Sequence, residues 1–309
     1  MSSAGESTDS GTRVIMWCVP RSVSSALTKC LSAIQGTEIY FEPYTVSYQA
    51  NRSYKRFSGG DIPKVYEGNE EAFDTAARIV SADTGSYMDP KRLAYASVKK
   101  MLETSSSKHV FVKDMGSGVA DDNFRFLPEG YQHTFLIRNP IRFINSYRRG
   151  IYIQYKQLGL LKGEAANERT FDVECDDKNF PHGFYMKEPY DIWKYVSENI
   201  DGNPIVIDAD DLLAKPAAIL SAYCSAVGLP YSESLLKWDA STESVKSRKA
   251  AGDNFVFDLD HFFSTAARSS EFLPASKFPP RESLTPDVIR GSERVMKYFD
   301  EMYESRLTV

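Results

Sequence analysis

Two short stretches of this sequence place arginine and hydroxyl side chains where an apolar run gives way to a predicted helix. The first is PRSVSS (20–25), which follows the apolar run RVIMWCV (13–19). The free N–H groups and the dipole of a helix beginning near Ser24 attract an anion, and Arg21 adds a permanent cation with a planar set of donors. The stretch therefore predicts a phosphate or sulfate site, although the serines can also be simple helix caps. The predicted ligands are Arg21, Ser22, Val23, Ser24 and Ser25.

The second stretch, TFLIRNPIRFINSYRRG (134–150), carries an arginine at the end of another apolar run. Asn139-Pro140 predicts a helix start directly after Arg138, and Ser146 follows about two turns along that helix. An arginine at a strand exit and a hydroxyl on the adjoining helix can hold one phosphate group together. The alternative is an amphipathic helix with a solvated basic face. Three further arginines add positive charge here: Arg142, Arg148 and Arg149.

Strands that alternate with helices must position these groups. Strands are predicted at 13–19, 38–41, 109–113, 133–137 and 204–208. Helices are predicted from Ser24 and from Pro140, and over 69–82, 90–104, 216–227 and 285–304. This order predicts an α/β fold with one largely parallel sheet of about five strands and helices on both faces. Ligands of such sheets bind at the carboxyl ends of the strands, where Arg21, Glu42, Asp114 and Arg138 all fall.

Domain organisation follows from the same pattern. Residues 1–12 are polar and predict a disordered tail, and 13–309 are predicted to form a single domain. The segment 44–68 has no clear period and is interpreted as a long functional loop or an irregular helical segment. The segment 239–282 is also interpreted as irregular.

Composition excludes several classes of protein. The chain of 309 residues has a net charge of −5, so it has no overall basic character to attract a nucleic acid. It lacks the apolar segment of a signal peptide or membrane anchor, and its four cysteines and four histidines lack metal-site spacing. We therefore expect a soluble, cytoplasmic protein that binds no membrane and no metal.

The two anion motifs together resemble those of the sulfotransferases that use 3′-phosphoadenosine-5′-phosphosulfate (PAPS). In that family a Pro-[Lys/Arg]-Ser-x-[Ser/Thr]-[Ser/Thr] loop holds the 5′-phosphosulfate, as in PRSVSS, and an Arg followed by a Ser on the next helix holds the 3′-phosphate, as in Arg138 and Ser146. The segment 205–230 also resembles the family's late strand, acidic turn and helix. The resemblance implies a P-loop-like fold and transfer of the sulfuryl group from PAPS to a small-molecule acceptor.

The catalytic residues differ from those of the cytosolic branch of that family. That branch has a histidine after the third strand, where this chain reads Lys113-Asp114-Met115. Resemblance to other branches implies Glu42, in YFEPY, as the general base, and Asp114 is the second candidate. Arg21 is expected to stabilise the charge that develops during transfer.

The residues that the resemblance implies for the nucleotide depart from the family pattern at two further places. The tryptophan that many members carry after the serine loop is replaced by Ala26, so an adenine-stacking group must come from elsewhere. SRKAAGDNF (247–255) resembles, faintly, the Arg-Lys-Gly loop that closes over the 3′-phosphate, but it lacks the glycine directly after Lys249. The alternative for this segment is a solvated charged loop. This resemblance adds Arg248 and Lys249 to the implied ligands.

The acceptor pocket is predicted from the aromatic segments 44–60, 150–190 and 253–265. Arg52, Lys55 and Arg56 indicate either an anionic acceptor or a solvated surface. The accepting atom, whether oxygen, nitrogen or carbon, and a homodimer both stay open. The residues expected near the acceptor are Tyr44, Tyr48, Arg52 and Tyr54.

Two other functions remain as alternatives. One is a nucleotide-kinase-like phosphotransferase, which the absence of a Walker lysine disfavours. The other is a non-catalytic nucleotide-binding protein descended from a sulfotransferase, which the missing histidine permits.

Overall fold

A parallel β-sheet lies at the centre of the fold. The structure is a computed structural model that describes residues 11–84, 87–119, 123–240, 265–266 and 268–309. Within these residues the sheet has five strands in the order β2-β3-β1-β4-β5, and all neighbouring strands pair in parallel. The strands are β1 (Thr12–Cys18), β2 (Thr37–Phe41), β3 (His109–Met115), β4 (Gln132–Ile137) and β5 (Val206–Asp208).

Helices cover both faces of this sheet. In the described residues, no helix is both long and apolar enough to cross a membrane. The helices are α1 (Ser24–Leu31), α2 (Pro43–Ser58), α3 (Glu70–Thr84), α4 (Tyr95–Glu103), α5 (Pro140–Gln157), α6 (Val173–Asp176), α7 (Lys187–Asn199), α8 (Ala209–Ala214), α9 (Pro216–Val227) and α10 (Pro286–Glu304).

The central strand β1 shows why the chain folds as three layers. Successive side chains of a strand point to opposite faces, and here both faces are buried. Ile15 and Trp17 pack in one cluster with residues of α4, α5, α7 and α10. Val14 and Met16 pack in the other cluster with residues of α1 and α9. A continuous apolar run is therefore what this position in the sheet requires.

The loops that follow β1, β3 and β4 emerge side by side at one edge of the sheet. Cys18, the last residue of β1, lies opposite Met115 of β3 and Leu136 of β4. The Val19 amide continues this pairing by donating to the Leu136 carbonyl at 3.2 Å. The parallel register therefore brings together groups that are more than a hundred residues apart along the chain.

The predicted fold class and strand positions are confirmed, with shifts at the ends. The predicted tail, 1–12, lies outside the described residues as far as residue 10, and Thr12 already belongs to β1. Asn139 caps α5 as expected, because its side chain accepts from the Ile141 amide at 3.0 Å. Gly228 ends α9 in the left-handed conformation, also as expected.

Of the two interpretations of 44–68, the long loop is wrong for most of its length. The helical segment is correct as far as Ser58, although α2 is a regular helix over Pro43–Ser58. Its start is stabilised from outside the segment. The Asp114 carboxylate accepts hydrogen bonds from the amides of Tyr44 and Thr45 at 2.7 and 3.1 Å. A cap supplied by a distant strand leaves no signal in the local sequence.

Candidate active site

The serine loop joins β1 to α1 through an unusual backbone. Arg21 and Val23 both have φ near 60°, and Ser22 between them does not. This conformation is strained for side chains with a Cβ, above all for a β-branched one, by about 1–3 kcal/mol for each residue. Backbone of alternating conformation turns successive N–H groups toward one concave side, which is a known arrangement for binding anions. The strain is therefore consistent with a loop shaped for a ligand.

The alternative that the serines only cap α1 is not what the structure shows. Val23 occupies the capping position, and its apolar side chain cannot accept a hydrogen bond from the first turn. The buried Ser22 hydroxyl donates to the Val19 carbonyl at 2.7 Å, so this side chain stabilises the loop instead of facing a ligand. Ser24 and Ser25 line a cavity in front of the helix.

The second motif lies directly against the first. Arg21 Nε donates to the Ser146 hydroxyl at 3.1 Å, and Arg138 Nη1 donates to the Arg21 carbonyl at 2.6 Å. The end of β4 positions Arg138, and the first two turns of α5 position Ser146. The fold therefore places the two predicted anion sites side by side.

Two buried arginines lie close together at this site. Burial lowers the pKa of Arg21, and the nearby Arg138 lowers it further. Burial also lowers the pKa of Arg138, against the opposing effect of Asp210. Arg138 Nε is buried without a hydrogen-bond partner in the described chain, since Asp210 Oδ1 lies 3.6 Å away. Two desolvated arginines that disfavour each other's charge fit a phosphate-bearing ligand.

Glu42 and Lys113 form a buried ion pair beside this anion site. Their side chains are 6% and 4% exposed, and Lys113 Nζ donates to Glu42 Oε1. Glu42 has φ near 59° and caps α2, while its amide donates to the Lys113 carbonyl at 2.6 Å. Burial acts to lower the pKa of Lys113, but Cys18 and the Glu42 carboxylate act to raise it, and the net shift is upward. Lys113 is therefore a cation. Both side chains line the same cavity as Arg21.

Asp114, the second candidate base, has a different position. It is fully buried, and its carboxylate accepts from Thr45 Oγ1 at 2.6 Å as well as from the amides at the start of α2. Burial raises the pKa of Asp114 to about 7, while the hydrogen bonds from Thr45 and the amides act in the opposite direction. Among the described residues it is absent from the cavity lining. Its contacts make it a structural cap of α2 and not a group that faces a substrate.

One cavity of about 450 Å³ is lined by the serine loop, Arg138, Glu42 and Lys113. Among the described residues, its lining does not include Ser22, Asp114 or Ser146. On one side it is lined by the serine loop, Arg138 and the segment around Phe272, and we call this side the nucleotide half. On the other side it is lined by Thr45 and Gln49 of α2, by one face of α5 and by Asn179 and Tyr185, and we call this side the acceptor half. Glu42 and Lys113 line the same cavity.

Sequence reasoning missed the apolar wall of the nucleotide half. Ala26 lines the cavity, as does Leu213 at the end of α8. Phe272 lines it as well, with its ring held edge-on against Trp238 at a centroid distance of 5.0 Å. No motif marks Phe272 in the sequence, because it comes from the irregular segment near the chain's end.

The acceptor half differs from the prediction in detail. None of Tyr44, Tyr48, Arg52 and Tyr54 lines the cavity within the described chain. Tyr44 is a core residue, with its hydroxyl donating to the Phe126 carbonyl at 2.6 Å. Helical spacing from Glu42 would have found Thr45 and Gln49 instead, and the same spacing along α5 gives the aromatic and apolar face that lines the cavity. That face comprises Tyr147, Ile151, Gln154 and Tyr155.

Other predicted cations lie away from the site or outside the described residues. Arg148 is buried against Asp287, with 2.9 Å between Nε and Oδ2, so it stabilises the packing of α5 on α10 and adds no charge to the cavity. Arg142 stays nearby through its ion pair with Asp210. Arg248 and Lys249 lie outside the described residues.

Comparisons with known proteins give distant similarities. No family model matches this chain. Over 224 residues it is 25% identical to the branched-chain-amino-acid aminotransferase-like protein 1 of Arabidopsis thaliana. The match covers 72% of this chain but 31% of that protein, so the chain spans about a third of the length of this curated relative.

Similar solved structures carry the name sulfotransferase. The domain from the curacin biosynthetic pathway is 15% identical, with a TM-score of 0.44 over 92% of this chain and 98% of that one. The domain from the Synechococcus PCC 7002 olefin synthase is 15% identical, with a TM-score of 0.40 over 92% and 94%. Mouse sulfotransferase SULT7A1 complexed with PAP is 11% identical, with a TM-score of 0.47 over 95% and 87%. Similarity at this level does not establish a function, which has to be argued from the site.

Proposed function

We propose that this chain is a sulfotransferase that transfers the sulfuryl group of PAPS to a small-molecule acceptor and releases 3′-phosphoadenosine-5′-phosphate (PAP). The observation that carries the proposal is the contact between the two anion motifs, in which Arg21 meets Ser146 and Arg138 meets the Arg21 backbone. A ligand with two separate phosphate positions fits this arrangement better than a single anion does. PAPS carries such a pair, at its 3′ and 5′ positions.

The nucleotide half offers a partner for each part of that ligand. The amides at the start of α1, with Ser24 and Ser25, are suited to the 5′-phosphosulfate. Arg138 is suited to the 3′-phosphate, since its Nε has no hydrogen-bond partner among the described residues. Ser146, which accepts from Arg21 beside it, is the second group proposed for this phosphate. Ala26, Leu213 and Phe272 are the described groups that can hold the adenine.

The reaction needs charge stabilisation more than covalent help from the protein. Transfer forms a bond between the acceptor oxygen and sulfur and breaks the bond between sulfur and the 5′-phosphate oxygen. Negative charge then grows on the departing phosphate, where Arg21 and the loop amides can stabilise it. Lys113 lines the same cavity, and its positive charge can stabilise negative charge on the sulfuryl oxygens.

Glu42 is the group best placed to take the proton of a hydroxyl acceptor. It lines the cavity, whereas the Asp114 carboxylate is occupied by the start of α2. The ion pair with Lys113 fixes the position of the Glu42 side chain. A carboxylate held in place beside a hydroxyl acceptor can act as a general base.

The test is a turnover assay with PAPS that carries a radiolabelled sulfuryl group and a panel of small hydroxyl and amine acceptors. We expect labelled product and an equal amount of PAP, with a chelator present throughout. An exposed-site variant, Arg78→Ala on α3, should behave like the wild type. Phosphoryl transfer that needs ATP and magnesium would instead identify a phosphotransferase. Tight PAP binding without turnover over the panel would identify a non-catalytic nucleotide-binding protein.

A further inference from the structure

A buried carboxylate lies behind the aromatic side chains of the acceptor half. Asp177 is 2% exposed. Its carboxylate accepts from the Tyr147 hydroxyl at 2.9 Å, from the Tyr155 hydroxyl at 2.7 Å and from the backbone N–H of Asn179 at 2.9 Å. The Tyr185 hydroxyl lies 3.2 Å from that of Tyr147. We call the four cavity-lining members of this network the tyrosine wall: Tyr147, Tyr155, Asn179 and Tyr185.

The hydrogen bonds fix the direction of the phenolic protons. A carboxylate accepts only, so Tyr147 and Tyr155 must each donate their single proton to Asp177. Tyr147 then has no proton left for Tyr185, and therefore Tyr185 donates to Tyr147. Burial raises the pKa of Tyr147 well above its usual value, in keeping with a neutral phenol that donates. All three phenolic protons are therefore used within the network.

Asn179 adds a further acceptor to the wall. Its side chain lies near the Tyr155 hydroxyl, whose proton is already used by Asp177. Oδ1 is buried and has no hydrogen-bond partner among the described residues. A buried acceptor in a cavity wall is costly unless a ligand supplies a donor.

Among the described residues, the charged group that the side chains of the wall contact is the Asp177 carboxylate. The partners of Asp177 are three neutral donors, and no ion pair in the described part of the chain includes this carboxylate. Arg52, once expected near the acceptor, directs its guanidinium to the Tyr48 hydroxyl and to the carbonyls of Lys178 and Asn179. Lys55 pairs with Asp61 at 3.0 Å on the exposed side of α2. Neither cation lines the cavity within the described residues.

We propose that the tyrosine wall selects an acceptor that carries a protonated amine, so that the substrate class is a small amino alcohol or aminophenol. The ammonium group would donate to Asn179 Oδ1 and to the hydroxyl oxygen of Tyr185, close to the tyrosine rings and the buried charge of Asp177. The hydroxyl group would then face Glu42 in the same cavity. This inference rests on the proposed sulfotransferase function for its reaction, but the binding preference is a property of the wall alone.

The test uses three probes of similar shape: tyramine, the neutral para-ethylphenol and the acid para-hydroxyphenylpropionate. Each is titrated by calorimetry into the protein saturated with PAP and, separately, into the protein without nucleotide. We expect tyramine to bind at least about tenfold more tightly than para-ethylphenol, which is the effect of one charge-assisted hydrogen bond, and the acid to bind most weakly. Equal affinities, preference for the acid, or no measurable binding of tyramine would overturn the inference.

Two variants assign the preference to the wall. Asn179→Leu removes the unpartnered oxygen and should reduce the preference for tyramine over para-ethylphenol by about tenfold. Asp177→Asn removes the buried charge, and thermal unfolding shows whether it folds. Tyr155→Phe, which retains the ring, serves in its place if it does not. A preference that survives Asn179→Leu unchanged would also overturn the inference.

Failure of this inference is distinguishable from failure of the proposed function. PAP binding and labelled transfer to any acceptor, with no preference for the amine, would leave the sulfotransferase proposal intact and reject the amine. Amine preference in the protein without nucleotide, together with no PAP binding, would support the wall and reject the sulfotransferase. PAP affinity should be the same in Asn179→Leu and the wild type, since Asn179 lies in the acceptor half.

Discussion

The nucleotide half and the acceptor half of the cavity are built in different ways. The nucleotide half comes from loops at the ends of β1 and β4 and from the helices that follow them, so its residues occur in two short runs of sequence. The acceptor half combines single faces of α2 and α5 with residues near 177–185. A strand-loop-helix unit constrains the spacing of its ligands, whereas a face shared by separate elements has no such constraint.

The nucleotide half and the acceptor half also differ in the charges that they contain. The nucleotide half keeps two desolvated arginines, Arg21 and Arg138, with an incompletely satisfied guanidinium. The acceptor half keeps a buried carboxylate, Asp177, and the side-chain Oδ1 of Asn179, which has no hydrogen-bond partner among the described residues. The first half suits a polyanion and the second a hydrogen-bond donor. The two substrates would therefore be distinguished by charge as well as by shape.

Arg21→Ala should have the largest effect and shows whether the nucleotide half takes part in the chemistry as well as in binding. We expect kcat to fall about 10³-fold, because Arg21 would stabilise charge that develops only during transfer. PAP affinity should fall much less. The measurement is steady-state turnover of PAPS beside calorimetry with PAP, with Arg78→Ala as the exposed control. Equal losses in affinity and in kcat/KM, with kcat unchanged, would limit Arg21 to ground-state binding.

Glu42→Gln tests the boundary between the two halves. We expect kcat to fall about 10²-fold to 10⁴-fold for a hydroxyl acceptor, the usual contribution of a general base, with PAP affinity retained. Because the change leaves Lys113 buried without its carboxylate, we also expect a loss of stability of up to about 3–5 kcal/mol.

The double variant Glu42→Gln/Lys113→Met separates these two effects. It removes the unpaired cation, so its melting temperature should recover while turnover stays low. Turnover that recovers together with the melting temperature would mean that Glu42 has a structural role only.

Phe272→Ala should have a smaller effect, confined to the nucleotide half. We expect PAP to bind about tenfold more weakly because the adenine loses an aromatic contact. Affinity for the acceptor probes should not change. Phe57→Ala, at an α2 position that is 73% exposed, is the matched control. Unchanged PAP affinity in Phe272→Ala would place the adenine elsewhere in the cavity.

Glu188→Gln should have the smallest effect. Glu188 stabilises the backbone that leads to Tyr185 of the acceptor half. Glu188 Oε1 accepts from the Gly183 amide at 3.0 Å, next to Phe184 and Tyr185, which both have positive φ. Burial raises the pKa of Glu188 to about 7. The folded protein therefore holds a proton that the unfolded chain releases, and this stabilisation is lost as the pH rises from the ordinary glutamate pKa toward about 7.

The measurement for Glu188 is urea unfolding at about pH 5 and about pH 8. The decrease in unfolding free energy between the two pH values should be smaller in Glu188→Gln than in the wild type, by about 1–3 kcal/mol. PAP affinity should be unchanged in the variant. An identical pH dependence in both proteins would show that Glu188 does not titrate in this range.

The difference between the halves also explains what the sequence could predict. The strands could be found because each is a short apolar run, and Arg21, Arg138 and Ser146 could be found because a strand exit and the next helix place them at constrained spacing. α2 was missed because Asp114, on another strand, supplies its cap. The Glu42–Lys113 ion pair and the Asp177 network depend on contacts between distant segments, which no local pattern records.

The most direct test of the central claim is calorimetric titration of the wild type and Arg138→Ala with PAP, ADP and ATP. If the contact between the two motifs forms a site for both phosphate groups, PAP should bind the wild type at micromolar or better, with ADP and ATP at least about a hundredfold weaker. Arg138→Ala should lose most of this preference while its affinity for ADP changes little. Equal binding of all three nucleotides by the wild type, or a preference for PAP that survives in Arg138→Ala, would contradict the account.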